Sequence, residues 1–196
     1  MTAIISDLKT IKNEFFRKSI HFLVALAPVM AAWNRSFTLV FLMTGLLAYI
    51  YLENLRTIGI NVPLFSVVAA KAGRPRDQGR FVLGPVTLGL GAFLVLVFFP
   101  PQTAAIAIYA LAFGDGCASL LGKTFGRIRP AFLSGKSLEG SLACFAAVFI
   151  SAWNVSGSLS ISLSASFTAA ITEALPAGDF DNILIPFTVA LVISLI

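Results

Sequence analysis

Long apolar runs alternate with short polar stretches along this chain. A transmembrane helix needs about 20 predominantly apolar residues, and the runs approach that length. They cover 19–33, 36–52, 81–99, 102–121, 140–155, 157–172 and 183–196. The pattern therefore predicts an all-α fold, a polytopic membrane helix bundle of about seven transmembrane helices. The sixth run is rich in serine and threonine and gives the weakest prediction, while segment 58–70 is too short to span and is expected to lie at the interface or re-enter the membrane.

The first 18 residues differ from the runs that follow. Their apolar positions recur at helical spacing with charged residues between them, which is typical of an amphipathic helix on a membrane surface. These positions are Ile4, Leu8, Ile11 and Phe15. We therefore expect one integral membrane domain, 1–196, with a surface helix at 1–18 and the transmembrane bundle at 19–196. Because the polar lead is long and contains acidic residues, we expect no cleaved signal peptide.

Composition and charge agree with a membrane protein. Apolar residues make up 58% of the chain and charged residues 12%, whereas soluble domains carry about 25% charged residues. With the N-terminus in the cytoplasm, thirteen of the 14 lysines and arginines fall on the inner side and only Arg35 lies outside. Inner loops are enriched in these residues, so we predict this orientation. The net charge of +5 then reflects topology, and no nucleic-acid partner is expected.

Ionisable residues gather in four clusters near the predicted inner ends of the spans, where charge beside hydrocarbon usually marks function. In the first, EFFRKSIHF, one helical face carries the four ionisable side chains Glu14, Arg17, Lys18 and His21. The alternative is a basic collar at the membrane entry, whose long side chains reach toward the interface. The only histidine of the chain lies on the same face, which favours a functional site.

The second cluster is LAFGDGCASLLGKTFGR, residues 111–127. Asp115 and Gly122 share a helical face, and Gly114 and Gly122 allow a backbone or a phosphate to approach closely. A carboxylate beside phosphates is a natural ligand for Mg²⁺, which prefers oxygen. Lys123 follows as a phosphate-binding candidate. The alternative is an aspartate that pairs with a lysine and serves helix packing.

The third cluster, SGKSLEG, is similar to a phosphate-binding loop, but the first glycine of that pattern and the preceding strand are both missing. What remains is a turn in which Gly135, Lys136 and Ser137 are expected to hold phosphate through their amides and the lysine ammonium. Glu139 then opens the fifth span. The alternative is an ordinary basic loop.

The fourth cluster, EALPAGDFDN, joins two spans. Glu173, Asp179, Asp181 and Asn182 make this turn rich in oxygen atoms. A solvated loop is the alternative for this cluster in isolation. Beside the other three clusters it becomes a second candidate for contacts with a metal ion or a ribose.

All four clusters are expected to surround one pocket at one membrane face. Cations and carboxylates together suit phosphoryl transfer, because its catalysis depends on positioning and on stabilising charge. A transporter would instead carry ionisable residues across the bilayer midplane, so a non-enzymatic transporter is the less favoured class.

The ordered set of motifs resembles the CTP-dependent lipid kinases, the group of dolichol, phytol and yeast-type diacylglycerol kinases that is related to the phosphatidate cytidylyltransferases. The motifs are RKSIH at 17–21, GDGCASLLGKTFGR at 114–127, GKSLEG at 135–140, and the acidic, Asn and Pro positions 173, 181, 182 and 186. The resemblance implies an all-α membrane fold, CTP as phosphoryl donor, a divalent cation and a lipid alcohol acceptor. It maps the family's important Arg-Lys pair to Arg17 and Lys18, and its aspartate and following glycine to Asp115 and Gly122.

The resulting hypothesis is a CTP-dependent kinase for a polyprenol, a phytol-like isoprenoid or diacylglycerol. Asp115, with Asp181 or Glu173, is expected to hold Mg²⁺ against the phosphates. The side chains expected to neutralise the triphosphate are Arg17, Lys18, Lys123 and Lys136. Gly114, Gly122 and Asn182 complete the expected nucleotide site. Glu139 or His21 is expected to position the lipid hydroxyl.

A cytidylyltransferase is the nearest alternative, in which a lipid phosphate attacks the α-phosphorus of CTP and pyrophosphate leaves. For either enzyme we expect an integral protein of a bacterial inner membrane, with the site on the cytoplasmic side. Its partners would be the bilayer, the nucleotide and the lipid, and a homodimer is left open as the assembly.

Overall fold

The computed structural model describes residues 2–77, 79–130, 133 and 135–196; the side chains of residues 2–11 and 75 are outside this description. This part of the chain contains helices and no strand, which confirms the all-α helical bundle. The α-helices are α1 (Thr2–Phe22), α2 (Leu26–Thr57), α3 (Phe65–Ala72), α4 (Gly84–Phe98), α5 (Pro101–Tyr109), α6 (Gly116–Thr124), α7 (Leu138–Ser156), α8 (Leu159–Ala174) and α9 (Asp181–Ile193).

Each of the seven apolar runs contains a helix. Three helical segments are long and apolar enough to cross a membrane, namely Lys12–Thr57, Pro101–Thr124 and Leu138–Ser156, and α4 and α9 are shorter apolar helices. Segment 58–70 contributes the first part of α3. The helix predicted for 1–18 is present as part of α1, but the side chains of Ile4, Leu8 and Ile11 lie outside the described ones.

The first two apolar runs are joined by a kink inside α2 and not by a loop. Asn34 has extended backbone angles there, φ −154° and ψ 104°. Its side-chain oxygen accepts a hydrogen bond from the Phe37 amide at 2.9 Å, which caps the helix that follows. Arg35 donates to the carbonyls of Leu96 and Phe99 at the end of α4, so it satisfies acceptors that the helix end leaves unpaired.

The helical segment Pro101–Thr124 lies at the centre of the bundle. Of its most apolar part, 61% is buried, against 11% for Lys12–Thr57 and 22% for Leu138–Ser156. The segment is not regular, because a π-helix, Ala110–Asp115, lies between α5 and α6. Such wide turns are rare inside α-helices and are frequent at functional sites. This one ends at Asp115.

Candidate functional site

A cavity of about 630 Å³ lies among α1, α3, α6, α7 and the segments that follow α3 and α8. Ligand pockets commonly measure about 300–1,000 Å³. Its lining includes residues from all four sequence clusters, so the prediction of one shared pocket is confirmed. The charged residues in the lining are Glu14, Arg17, Arg74, Arg76, Asp115, Lys123, Arg129, Lys136, Glu173 and Asp181. Cations therefore outnumber carboxylates in this wall.

Asp115 is the centre of a buried charged group. The Lys18 ammonium lies 2.5 Å from its Oδ2, and Nε2 of His21 lies 3.3 Å from the same oxygen. Nε2 of His21 is also 2.9 Å from the Leu111 carbonyl in the π-helix. A carbonyl oxygen only accepts, so Nε2 must carry a proton and donate it. Asp115 therefore pairs with a lysine, as the alternative of a helix-packing aspartate predicts. It also lines the cavity.

Glu14 links α1 to α6 at the edge of the same cavity. Its carboxylate accepts from Arg17 at 2.7 Å and from Lys123 at 2.6 Å. The residue itself is buried, and a buried carboxylate needs such partners. Both cations line the cavity. Glu14 therefore holds two of the predicted phosphate-binding side chains in place.

Lys136 joins the third cluster to the fourth. Its ammonium lies 3.3 Å from Oε1 of Glu173 and 3.2 Å from Oδ2 of Asp181. It also donates to the backbone carbonyls of Glu173 and Leu175. One lysine thus holds together the α7, α8 and α9 ends of the cavity.

Two carboxylate oxygens beside Lys136 lack partners. Oε2 of Glu173 and Oδ1 of Asp181 are buried, and neither has a hydrogen-bond partner within the described part of the chain. Both residues lie just outside the apolar segments 157–172 and 183–196. Burial raises the pKa of both carboxyls, and the Lys136 ammonium opposes that rise. Buried oxygens without partners are costly, so this corner suits a ligand that supplies positive charge or hydrogen-bond donors.

The Gly-Lys-Ser turn, residues 135–137, lines the cavity. Ser134, the first residue of the SGKSLEG motif, lies outside the described residues. Gly135 has φ +89°, a left-handed conformation that favours glycine. The Lys136 amide donates to the Leu133 carbonyl at 2.9 Å, so the predicted phosphate cradle is wrong for this amide. Ser137 caps α7 by accepting from the Gly140 amide.

Two residues predicted for the site have other contacts. A Cβ atom on Gly114 would come within 2.8 Å of Cγ2 of Val148, so this glycine allows the π-helix to pack closely against α7 and does not line the cavity. The exposed Glu139 carboxylate accepts from the amides of Arg127 and Ile128 at 2.9 and 3.1 Å. We therefore assign Glu139 to anchoring that loop and not to positioning a lipid hydroxyl.

Gly122 and Asn182 also take part in packing. Gly122 lines the cavity, and a Cβ there would lie 3.0 Å from Oγ of Ser137. Asn182 donates to Oγ1 of Thr87 at 2.9 Å and to the Gly84 carbonyl at 3.2 Å, so it links α9 to α4. It does not line the 630 Å³ cavity, and its predicted nucleotide contact is not supported by this geometry.

Sequence reasoning missed the arginines that follow α3. Arg74 and Arg76 line the cavity, and each lies 2.9 Å from a different oxygen of Asp179. Arg129 also lines it and donates to the carbonyls of Gly135 and Gly122. The available signal is the density of basic residues in KAGRPR, residues 71–76, a pattern that is also typical of an inner loop of a membrane protein.

The three predicted metal ligands share the cavity but do not form a ready metal centre. Within the described residues, no three His, Cys, Asp or Glu side chains are close enough to hold a metal ion. Asp115 is held by Lys18, and Glu173 and Asp181 by Lys136. The two unpartnered oxygens suit Mg²⁺ only together with phosphate oxygens, which is how this ion is commonly bound.

Comparison with curated proteins finds relatives of one name. The chain is 28% identical over 109 residues to CTP-dependent diacylglycerol kinase 1 of Saccharomyces cerevisiae, covering 54% of this chain and 38% of that protein. Over 62 residues, 32% of this chain, it is 36% identical to the Eremothecium gossypii protein of that name and 34% identical to the Schizosaccharomyces pombe one, covering 20% and 28% of them. The chain thus spans less than two fifths of these relatives. No family model and no solved structure matches.

Proposed function

We propose that this chain, whose predicted resemblance to the CTP-dependent lipid kinases is confirmed by its relatives, transfers the γ-phosphoryl group of CTP to the hydroxyl of a membrane lipid. The observation that carries the proposal is the 630 Å³ cavity with basic walls, built within apolar helices that are long enough to cross a membrane. The choice of CTP follows the names of the relatives. The acceptor is diacylglycerol or an isoprenoid alcohol.

The charges around the cavity support binding of a triphosphate. Glu14, Asp179 and Asp181 already form ion pairs with cations of the cavity wall. Phosphate oxygens form charge-assisted bonds with Arg and Lys, so an arriving nucleotide finds these donors oriented. The excess of cations over carboxylates favours an anion over a neutral ligand.

We assign the metal ion to the corner formed by Glu173 and Asp181, because their unpartnered oxygens are the ones that need a cation. Mg²⁺ held there with phosphate oxygens would neutralise charge on the nucleotide. The sequence predicts Asp115 as the principal metal ligand, together with Asp181 or Glu173. Oδ2 of Asp115 is taken by Lys18 and His21, so we assign Asp115 to the lipid hydroxyl instead.

The reaction requires one bond to form and one to break. The lipid oxygen attacks the γ-phosphorus, and the bond from that phosphorus to the β,γ-bridging oxygen breaks, so that CDP leaves. The hydroxyl proton passes to the Asp115 carboxylate. Lys18 and His21 hold that carboxylate in place, and the cations of the cavity stabilise the charge that develops on the phosphoryl oxygens.

A labelled-nucleotide assay tests the proposal. The purified chain in mixed micelles is given CTP labelled at the γ-phosphate, with diacylglycerol, a polyprenol or phytol as acceptor and, in a separate reaction, with a lipid phosphate. A kinase places the label on lipid and releases CDP, and chelation of divalent cations stops it. Label released as pyrophosphate, with cytidine joined to a lipid phosphate, would show the cytidylyltransferase. No transfer to any lipid would overturn the kinase.

We further propose that the cavity faces the cytoplasm of a bacterial cell, because thirteen of the 14 lysines and arginines would then lie on the inner side. Single cysteines introduced at Arg127 and at Trp33, in a chain whose Cys117 and Cys144 are replaced by alanine, test this orientation. In inverted inner-membrane vesicles, an impermeant thiol reagent is expected to label position 127 and to spare position 33. The reverse pattern would contradict the assignment.

A further inference from the structure

A second and much smaller cavity, of about 50 Å³, lies next to the large one. Four residues line both: Arg17, Ala72, Arg74 and Asp115. These side chains therefore form a common wall between the two spaces. Asp115 is the only carboxylate in that wall.

The rest of the small cavity is half apolar and half polar. Its apolar lining comes from α1, from α4 and from the segment before α4. These residues are Ile20, Val82, Pro85 and Leu88. Its polar lining adds Lys18 and His21, the two residues that hold Asp115, together with Asn182 and the carboxylates of Asp77 and Asp179. Both oxygens of Asp179 are paired with Arg74 and Arg76. The large cavity, by contrast, is lined by six cationic side chains and no large apolar one.

Because the two cavities differ so much in volume, the same ligand cannot fill both. A nucleoside triphosphate does not enter a cavity of about 50 Å³, since a single water molecule already needs about 10–15 Å³ of such space. A hydroxyl with its carbinol carbon does fit. The apolar residues then suit the start of a hydrocarbon chain, and Ile20, Pro85 and Leu88 are only partly buried by the protein.

We propose that the small cavity is the acceptor subsite, which receives the hydroxymethyl end of a lipid alcohol while the nucleotide phosphates occupy the large cavity. This rests on the proposed kinase function and deepens it. The two substrates then meet beside Asp115, which lines both spaces. Its carboxylate accepts the hydroxyl proton while the same lipid oxygen attacks the neighbouring γ-phosphorus.

Asn182 and Leu88 shape this subsite from α9 and α4. The Asn182 side chain bonds to Gly84 and Thr87, which fixes the start of α4 beside Asp115. Leu88 follows one turn later on α4 and supplies apolar lining. A primary alcohol with a slim carbinol carbon fits such a space. A sterol, whose hydroxyl is attached to a ring, does not.

The first test is Leu88→Phe, with Leu90→Phe as the matched control on α4, since Leu90 lines neither cavity. Added bulk at position 88 is expected to lower kcat/KM for diacylglycerol or polyprenol about tenfold. The thermal shift produced by CTP should stay at the wild-type value. Leu90→Phe should change neither quantity. Unchanged lipid kinetics in Leu88→Phe would overturn the acceptor subsite.

A second variant keeps the inference testable if Leu88→Phe does not fold. Leu88→Ala enlarges the small cavity, so the rate with a sterol should rise relative to the rate with diacylglycerol. An unchanged ratio, or a wild-type chain that already phosphorylates the sterol as well as the primary alcohols, would overturn the inference. Failure of the proposed function looks different, because the wild type would then phosphorylate no lipid at all.

Discussion

Glu53 and Asp115 are both buried carboxylates in an apolar chain, and they differ in what surrounds them. Glu53 is fully buried, with 0% exposure. Its oxygens accept from the Arg56 guanidinium at 2.7 and 2.8 Å and from the Val82 amide at 2.7 Å. Asp115 has its two close partners on one oxygen, and it lines both cavities.

The difference separates a structural acid from a functional one. The hydrogen bonds of Glu53 tie the end of α2 to Val82, at the end of the segment before α4, and Glu53 lines neither cavity. The other oxygen of Asp115 has Oγ of Ser119, at 3.5 Å, as its one hydrogen-bond partner among the described side chains. Burial of an acid in a membrane bundle is costly in both places. Function is indicated by unused hydrogen-bonding capacity next to a cavity, and burial alone does not indicate it.

The largest expected effect is that of Asp115→Asn. Removing the negative charge removes the proton acceptor, so kcat for phosphoryl transfer should fall by about 10²–10³-fold. The measurement is transfer of γ-label from CTP to lipid, normalised to protein that elutes as a single folded species. Full activity in this variant would contradict the role proposed for Asp115 and would indicate that it is a structural acid, as Glu53 is.

Glu53→Gln should show the opposite pattern. Glu53 is fully buried and its partner Arg56 is partly exposed, so removing the Glu53 charge should cost up to about 3 kcal/mol of stability. We expect a lower thermal midpoint in detergent and an unchanged kcat per folded molecule. The neighbouring exposed residue offers a control, since Asn54→Ala should change stability much less. A loss of kcat at full stability would contradict the structural assignment.

Lys136→Met tests the phosphate side of the large cavity. Charge-assisted hydrogen bonds contribute roughly 1.5–3 kcal/mol, so the Kd for CTP should rise about tenfold or more. Titration of the purified chain with CTP, followed by thermal shift, measures it. Arg127→Met serves as the matched control, because Arg127 is exposed, lies in the preceding loop and does not line the cavity. Equal effects of the two variants would argue against a phosphate contact at Lys136.

The smallest effect is expected for Asp179→Asn. Asp179 orients Arg74 and Arg76 through partly exposed ion pairs, and such pairs contribute up to about 1 kcal/mol. The KM for CTP should rise by about fivefold or less. Although Asp179 lines the small cavity, we expect kcat to be unchanged because both of its oxygens are engaged by these arginines. Steady-state kinetics at varied CTP checks this, and Asp179→Glu should recover most of the affinity. A fall in kcat without a change in KM would contradict the positioning role.

Part of the site could be found from the sequence because its clues are local. Glu14, Arg17, Lys18 and His21 share a helical face at fixed spacing, and the Gly-Lys-Ser turn is visible as a motif. The motif was nonetheless misleading in detail. Glu139 sits beside it, yet its carboxylate anchors the Arg127 and Ile128 amides. The choice between anchoring and catalysis depends on where the loop folds back, which spacing does not reveal.

By itself, the sequence determined the class of protein, the helical runs and the end of each run at which charge accumulates, because apolar length and helical spacing are local properties.

Only the tertiary structure decided which side chains contact one another. Lys18 contacts Asp115, 97 positions away in the sequence, and Lys136 contacts Asp181, 45 positions away. Arg74 and Arg76 line the same cavity and form ion pairs with Asp179. The division into a large basic space and a small half-apolar one is likewise a product of packing, since its shared wall combines residues of α1, α3, the segment after it and the π-helix. Contacts between segments so distant along the chain are set by how the helices pack against one another, and no local pattern contains that information.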